Sequence, residues 1–262
     1  MRRILLFFLM STMLLSGCQL TSTQVSPPKK LTVYAAASLT NAFDEIGKIF
    51  MAANPGVTVA FNFAGSQALR TQIEEGAKAD VFASANMKEM DTLVSGNYVA
   101  VDDVSPFMTN QLIVIMPANN PAELTSLVDL SKPGVKIVLA AKEVPIGNYA
   151  QQVLDNLDSF LGAGYKEKVL ANVVSYENDV KQVVAKVQLG EADAGIVYSS
   201  DAIAAPELKK IDIPVEHNVV AKYPLAPLLN SENPELAQAF IDFILSSQGQ
   251  AILQNWGFLP LK

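Results

Sequence analysis

The sequence predicts an α/β fold of two lobes, each a mostly parallel sheet flanked by helices, joined by a hinge that the chain crosses twice. Three observations lead to this prediction. Short β-branched and apolar runs alternate with helical patterns, which is typical of parallel strands covered by helices on both faces. Two such series follow one another along the chain. Half of the 262 residues are hydrophobic, which is enough to build two substantial cores.

The first residues predict an export signal followed by a lipid anchor. Two arginines precede about a dozen mostly apolar residues, a run shorter than the ~20 needed to cross a bilayer. The segment 15–18 (Leu-Ser-Gly-Cys) resembles the lipobox of bacterial lipoproteins, and Cys18 is the only cysteine. We therefore expect a signal peptide at 1–17, lipidation of Cys18 and a polar tether at 18–30. The anchor would hold the protein at the cell membrane, facing the periplasm or the exterior.

The first lobe is predicted from residues 31–109 and 223–262. It opens with a strand at 31–36 and a helix through Phe43 and Phe50. Further elements of this lobe follow in order: a strand at 57–61, a helix from 65 to about 76, a strand at 80–83, a helix at about 86–93, and two closing helices that contain Phe240 and Trp256.

The second lobe is predicted from residues 110–222. Its strands are expected at 112–116, 135–139 and 194–198, and its helices at about 148–161 and 178–190. The strand-like segment 219–226 would return the chain to the first lobe near Lys222. Two crossings make a hinge over a cleft, and closing such a cleft is a common way to enclose a small ligand.

The overall charge argues against nucleic acid as a partner. The chain carries 19 basic residues against 26 acidic ones, a formal net charge of −7, whereas binding to nucleic acid begins with neutralising phosphates. An anionic ligand would have to be held by local dipoles and hydrogen bonds, because the overall field repels it.

Two serines follow predicted strands at the point where a helix begins. Ser38 stands in Ala-Ala-Ala-Ser-Leu-Thr and Ser66 in Phe-Ala-Gly-Ser. Helix amino ends have unpaired N–H groups and about half a positive charge, so two that converge form an anion cradle. Serine is also a preferred N-cap whatever the function, and this alternative stays open at both positions. The small neighbours of each serine favour a ligand that approaches the backbone closely.

Six segments of the body resemble the periplasmic molybdate-binding proteins of ABC importers. The segments 33–42 and 63–66 are similar to that family's first two ligand loops, and 79–85 resembles the strand that follows. The remaining segments are similar to the third, fourth and fifth loops: 144–150, 177–180 and 195–202.

The resemblance implies a two-lobed receptor that is not an enzyme and needs no cofactor, since its ligand is molybdate or tungstate. It implies permease and ATPase subunits of an importer as partners, and a monomeric receptor. Carried over position by position, the ligand residues are those whose hydroxyl or backbone N–H groups face the anion: Ser38, Ser66, Ile146, Val180 and Tyr198. Ile146 departs from the family, which usually has a smaller residue there. Metal would enter only as the oxyanion.

A donor-only site suits a fully deprotonated tetrahedral dianion, which presents acceptors alone. A carboxylate facing the ligand would argue against this interpretation. Asp179, beside Val180, is the residue to test, and we expect it in the first turn of a helix.

Two alternatives remain open from the sequence. Sulfate has the charge and shape of molybdate, so cavity size must separate them. A secreted hydrolase with Ser38 or Ser66 as its nucleophile is the other, although no Gly-x-Ser-x-Gly motif is present. His217, the only histidine, is expected at the surface.

Overall fold

The computed structural model describes residues 29–261. Over this range the chain forms two five-stranded sheets and nine α-helices, which confirms the predicted α/β class. The predicted signal peptide, Cys18 and tether residues 18–28 lie outside the described residues. Between Lys29 and Leu261, no helix is both long and apolar enough to cross a bilayer.

The first sheet combines three parallel strands with two later ones. Its spatial order is β2 (Val57–Ala64), β1 (Lys29–Ala36), β3 (Val81–Ala83), β10 (Ala221–Pro227) and β4 (Ser105–Asn110). β2 and β3 run parallel to β1, whereas β10 is antiparallel to both of its neighbours. β1 begins two residues earlier than predicted, because Lys29 and Lys30 pair with β2 through their backbones while their side chains stay exposed.

The second sheet repeats this arrangement. Its spatial order is β7 (Val173–Glu177), β6 (Ile137–Ala140), β8 (Ala194–Tyr198), β5 (Leu112–Met116) and β9 (Lys209–Asp212). β7 and β8 are parallel to β6, and β5 is antiparallel to β8 and β9. Four strands of each sheet therefore point one way, and the antiparallel strand of each sheet belongs to the segments where the chain changes lobe.

Helices cover the sheets. Those of the first lobe are α1 (Thr40–Ala53), α2 (Ser66–Glu74), α3 (Met87–Ser95), α8 (Pro234–Leu245) and α9 (Ser247–Asn255). Those of the second lobe are α4 (Pro145–Leu161), α5 (Tyr165–Ala171), α6 (Val180–Gln188) and α7 (Ser199–Ala204). The edge-to-face rings of Phe43 and Phe240 pack on one face of the first sheet, and Leu69, Phe82 and Met90 pack on the other.

The two crossings lie side by side. β4 ends at Asn110 and β5 begins at Leu112, whereas the return runs between Asp212 and Ala221. Asn110 and Lys222, expected at the bounds of the second lobe, lie in strands of the first sheet, because the backbones of β4 and β10 pair there. The Asn218 side chain accepts from the Leu112 N–H at 3.1 Å and donates to the Leu112 carbonyl at 2.8 Å, which ties the return segment to the start of β5.

Candidate functional site

A small cleft lies between the lobes, at the carboxyl ends of the parallel strands. Ligands of open α/β sheets bind at this edge. The cleft is lined by segments at or just after the ends of six parallel strands, which are β1, β2, β3, β6, β7 and β8. The lining residues are Ala36, Ala37, Ser38, Ala64, Gly65, Ser66, Ala85, Val144, Pro145, Ile146, Asp179, Val180 and Tyr198. The structure thus brings all five residues predicted from the sequence to one place.

Ser38 and Ser66 are buried, and neither serves as a helix cap. Ser38 lies in the 3₁₀ turn Ala37–Leu39, and the N-cap of α1 is Leu39. Ser66 is the first residue of α2, and Gly65 occupies the N-cap position. No side chain caps either helix. The capping alternative therefore does not account for these serines.

The Ser66 hydroxyl oxygen already accepts a hydrogen bond from the protein. The Ala85 backbone N–H donates to Ser66 Oγ at 3.0 Å. A backbone N–H can only donate, so the hydroxyl proton of Ser66 remains available to a ligand. Ser38 Oγ has a partner in the Tyr223 hydroxyl at 2.9 Å, where either group has a proton to give.

The third and fourth loops place helix amino ends at the cleft. α4 begins at Pro145, three residues earlier than predicted, so Ile146 lies in its first turn. Val180 is the first residue of α6. N–H groups in a first helical turn have no acceptor within the helix, and they carry the positive end of its dipole. Ile146 and Val180 are buried, and their backbones can therefore donate to an anion whatever their side chains.

Gly147 explains why α4 comes so close to the sheet. A Cβ atom at this position would lie 2.0 Å from the Ala141 carbonyl oxygen and 2.5 Å from that of Ala140. The glycine therefore lets the amino end of α4 pack against the chain that leaves β6. This close approach brings Ile146 into the cleft.

Tyr198 ends β8, as expected, with its side chain buried. Among the described residues its hydroxyl has no hydrogen-bond partner. Burial raises the pKa of Tyr198 well above its usual value, and the neighbouring Tyr223 acts in the same direction. The phenol is therefore a neutral donor at the cleft wall, and an unpaired buried donor favours a ligand that accepts.

Asp179 lines the cleft as the N-cap of α6, one residue before the expected first turn. Its Oδ1 accepts from the Gln182 backbone N–H at 3.0 Å, and its Oδ2 accepts from the Gln182 amide at 2.7 Å. Both oxygens are thus engaged by α6 itself. The carboxylate that sequence analysis marked for testing serves its own helix.

Side-chain contacts that the sequence did not predict join the lobes. The Lys181 ammonium on α6 donates to Asn41 Oδ1 on α1 at 3.0 Å. It also lies 3.0 Å from Asp201 Oδ1 on α7, where it forms an ion pair without the geometry of a hydrogen bond. The Gln67 amide donates to the Asn178 carbonyl at 3.2 Å. Within residues 29–261 the cleft lining itself holds no lysine or arginine. Lys181 had one sequence indication, its place beside the fourth loop.

His217 lies away from the serines. Its ring stacks on Phe160 of α4, with centroids 4.1 Å apart, and it is not among the residues that line the cleft. A serine nucleophile needs a base within hydrogen-bond reach. In the described part of the chain, neither serine has a histidine partner.

Comparison with known proteins gives relatives over almost the whole chain. The molybdate-binding protein ModA of Mycobacterium bovis is 37% identical over 260 residues, covering 95% of each chain. The periplasmic molybdate-binding protein of Azotobacter vinelandii superposes with a TM-score of 0.78 at 21% identity, covering 88% of this chain and all of that one. The sulfate-binding protein SubI of Mycobacterium tuberculosis gives the same TM-score at 19% identity, covering 89% and 88%.

These two structural likenesses show the fold but do not separate one anion from another, since they are equally strong. The family model for bacterial extracellular solute-binding proteins matches residues 31–259. With that match and the 37% identical relative, the chain belongs to the bacterial extracellular solute-binding proteins.

Proposed function

We propose that this protein binds molybdate, and also tungstate, outside the cytoplasm and delivers the anion to the permease of an ABC importer. The observation that carries the proposal is a cleft lined by hydrogen-bond donors, in which the Asp179 carboxylate is engaged by its own helix. These donors are two serine hydroxyls, a buried phenol that has no partner among residues 29–261, and the first-turn N–H groups of helices. The 37% identical relative, a molybdate-binding protein, supports the choice of anion.

The donor set suits a dianion that carries no proton. Each neutral donor stabilises negative charge without burying a counter-ion, and helix amino ends add the positive end of their dipoles. Molybdate and tungstate share this charge and tetrahedral shape with sulfate. Discrimination must therefore come from size, and Ile146, Val180 and Ala85 are among the residues that line the space an anion would fill.

Sulfate is the second candidate, supported by the equal structural likeness to a sulfate-binding protein. A serine hydrolase has no such support, because in the described part of the chain neither serine has a histidine partner. The importer's ATPase would supply the energy for transport, and the receptor would act as a monomer.

Isothermal titration with molybdate, tungstate, sulfate and phosphate tests the proposal. We expect tight binding of the first two, weaker binding of sulfate, and the weakest binding of phosphate, which carries a proton near neutral pH. The double variant Ser38→Ala/Ser66→Ala should lose about 2 to 6 kcal/mol of binding free energy, since each charge-assisted hydrogen bond contributes roughly 1 to 3.

Ser95→Ala is the matched control, because Ser95 is exposed and bonds only to the Asp91 carbonyl of its own helix. Sulfate binding as tight as molybdate binding would instead identify a sulfate or general oxyanion receptor. No binding of any of the four anions would refute an oxyanion receptor altogether.

The proposal includes anchoring of the mature chain through an acylated Cys18, as the sequence Leu-Ser-Gly-Cys suggests. The intact mass of protein extracted from membranes checks it, since an unmodified thiol at this position would contradict the anchor.

A further inference from the structure

Tyr223 lies directly behind Ser38, outside the cleft lining. It belongs to β10, the strand that returns the chain to the first lobe, and its side chain is fully buried. Its hydroxyl is 2.9 Å from Ser38 Oγ, and its ring meets that of Tyr198 edge to face at 5.7 Å. Tyr223 is thus the neighbour of two residues of the proposed anion site without facing the ligand itself.

The direction of the bond between Ser38 and Tyr223 matters to an anion. A serine hydroxyl has one proton, and it cannot give that proton to both Tyr223 and a ligand. Ser66 shows how the structure resolves the same problem, because its oxygen accepts from the Ala85 N–H. If Tyr223 donates to Ser38, both serine oxygens accept a hydrogen bond from the protein and both hydroxyl protons are free to face the cleft.

The surroundings of Tyr223 favour this direction. Burial raises the pKa of Tyr223 well above its usual value, so the phenol keeps its proton. Between residues 29 and 261, Ser38 Oγ is the one hydrogen-bond partner of the Tyr223 hydroxyl, whereas Ser38 also lines the cleft. A buried phenol proton needs an acceptor, and Ser38 Oγ is the one within hydrogen-bond distance. The geometry therefore favours Tyr223 as the donor.

We infer that Tyr223 is a positioning residue of the anion site: its O–H donates to Ser38 Oγ and thereby directs the Ser38 proton into the cleft. The inference rests on the proposed function, since it concerns how that site binds its ligand. It also assigns Tyr223 a part in selectivity. A protonated oxyanion such as hydrogen phosphate needs an acceptor for its own proton, and a serine hydroxyl that already accepts from the protein and directs its proton at the anion is a poor acceptor.

A double-mutant cycle tests whether Tyr223 acts through Ser38. Molybdate affinity is measured by titration for the wild type, Tyr223→Phe, Ser38→Ala and the double variant. We expect Tyr223→Phe alone to weaken binding about 10-fold, the scale of one hydrogen bond to a charged group. In the Ser38→Ala background the same change should alter affinity by less than about 2-fold, because its target is gone.

Selectivity gives a readout that a merely structural role would not move. With phenylalanine at position 223, Ser38 Oγ no longer accepts from the protein and can accept the proton of hydrogen phosphate. Tyr223→Phe should therefore weaken phosphate binding less than molybdate binding. The ratio of the two affinities should therefore fall. Tyr165→Phe is the matched control, because it also removes a buried tyrosine hydroxyl, one that donates to the Leu127 carbonyl in the second lobe. It should leave both affinities unchanged.

The outcomes separate this inference from the proposed function. If the wild type binds none of the four anions, both the inference and the proposed function are refuted. If the wild type binds molybdate but Tyr223→Phe weakens that binding equally with and without Ser38, the inference alone is refuted. If Tyr223→Phe does not fold, nuclear Overhauser contacts in the wild type decide. A Tyr223 hydroxyl proton close to the Ser38 β-protons supports the inference, and a hydroxyl proton directed elsewhere overturns it.

Discussion

Because Gly65 has no side chain, the two lobes can approach each other closely at this position. Its backbone, with φ −60° and ψ 135°, is one that any residue adopts, so no strain requires a glycine here. A Cβ atom would nevertheless lie 2.6 Å from the Asn178 carbonyl oxygen, which belongs to the opposite lobe, and 2.5 Å from the Gln67 side chain. The glycine is thus needed only when the cleft is shut.

We expect Gly65→Ala to weaken anion binding by at least about 10-fold, since a contact this short must push the lobes apart. The melting temperature without ligand should change little, because each lobe alone tolerates alanine. Titration and unliganded melting curves measure the two effects.

Gln67 provides the control for this prediction, because its flexible side chain is the other neighbour of the added atom. Gly65→Ala should weaken binding as much in a Gln67→Ala background as in the wild type. Full recovery there would show that the Asn178 carbonyl is not the obstacle.

Helix α6 links three elements through Lys181, which contacts Asn41 on α1 and Asp201 on α7. The Asp201 side chain is fully buried, whereas that of Lys181 is 31% exposed. Burial raises the pKa of Asp201 above its ordinary 3.8, and the Lys181 ammonium opposes this. A raised pKa means that Asp201 favours folding most below about pH 4, and that this contribution is lost as the pH rises through the folded-state pKa.

Lys181→Met should therefore destabilise the protein increasingly as the pH rises. Without the ammonium, the folded-state pKa of Asp201 rises further, and ionised Asp201 remains buried without compensation. At neutral pH we expect a loss of about 2 to 4 kcal/mol, somewhat below the 3 to 5 typical of fully buried pairs because Lys181 is partly solvated. Urea unfolding between about pH 4 and 8 measures this dependence.

Asp201→Asn in the Lys181→Met background should restore most of the loss at neutral pH, since it removes the buried charge. A difference between Lys181→Met and the wild type that is independent of pH would show that Lys181 does not compensate Asp201.

At the scale of the whole molecule, the net charge of −7 repels the anion that the cleft is proposed to hold. In the proposed site, binding would then depend on donors fixed at short range and contributed by both lobes. A ligand that binds only the folded form stabilises it by mass action.

Molybdate at about 1,000 times its dissociation constant should stabilise the fold by roughly 4 kcal/mol. For a chain of this size that corresponds to an increase of about 8 to 16 °C in the melting temperature. Differential scanning fluorimetry checks this, with sulfate at equal concentration expected to give a far smaller shift. Equal shifts for the two anions would favour a general oxyanion receptor.

The order of elements could be predicted because its causes are local, whereas the five candidate ligand positions came from the resemblance to a known family, and only Ser38 and Ser66 stand in a local pattern of their own. Residue periodicity distinguishes strand from helix, and small residues around Ser38 and Ser66 mark close backbone approach. Strands β4 and β7 were not predicted: β4 contains Pro106 and ends in polar Thr109 and Asn110, and β7 is a largely exposed edge strand.

The sequence by itself determined the alternation of strands and helices, and with it the edge of each sheet where loops gather. Only the tertiary structure decided which side chains stand behind those loops. Tyr223 meets Ser38 across 185 positions of sequence, and Lys181 meets Asn41 across 140. Such contacts depend on β10 returning to the first sheet and on the lobes closing, and no local pattern encodes either event. Local periodicity fixes elements, whereas the direction of a hydroxyl proton depends on partners that only folding brings together.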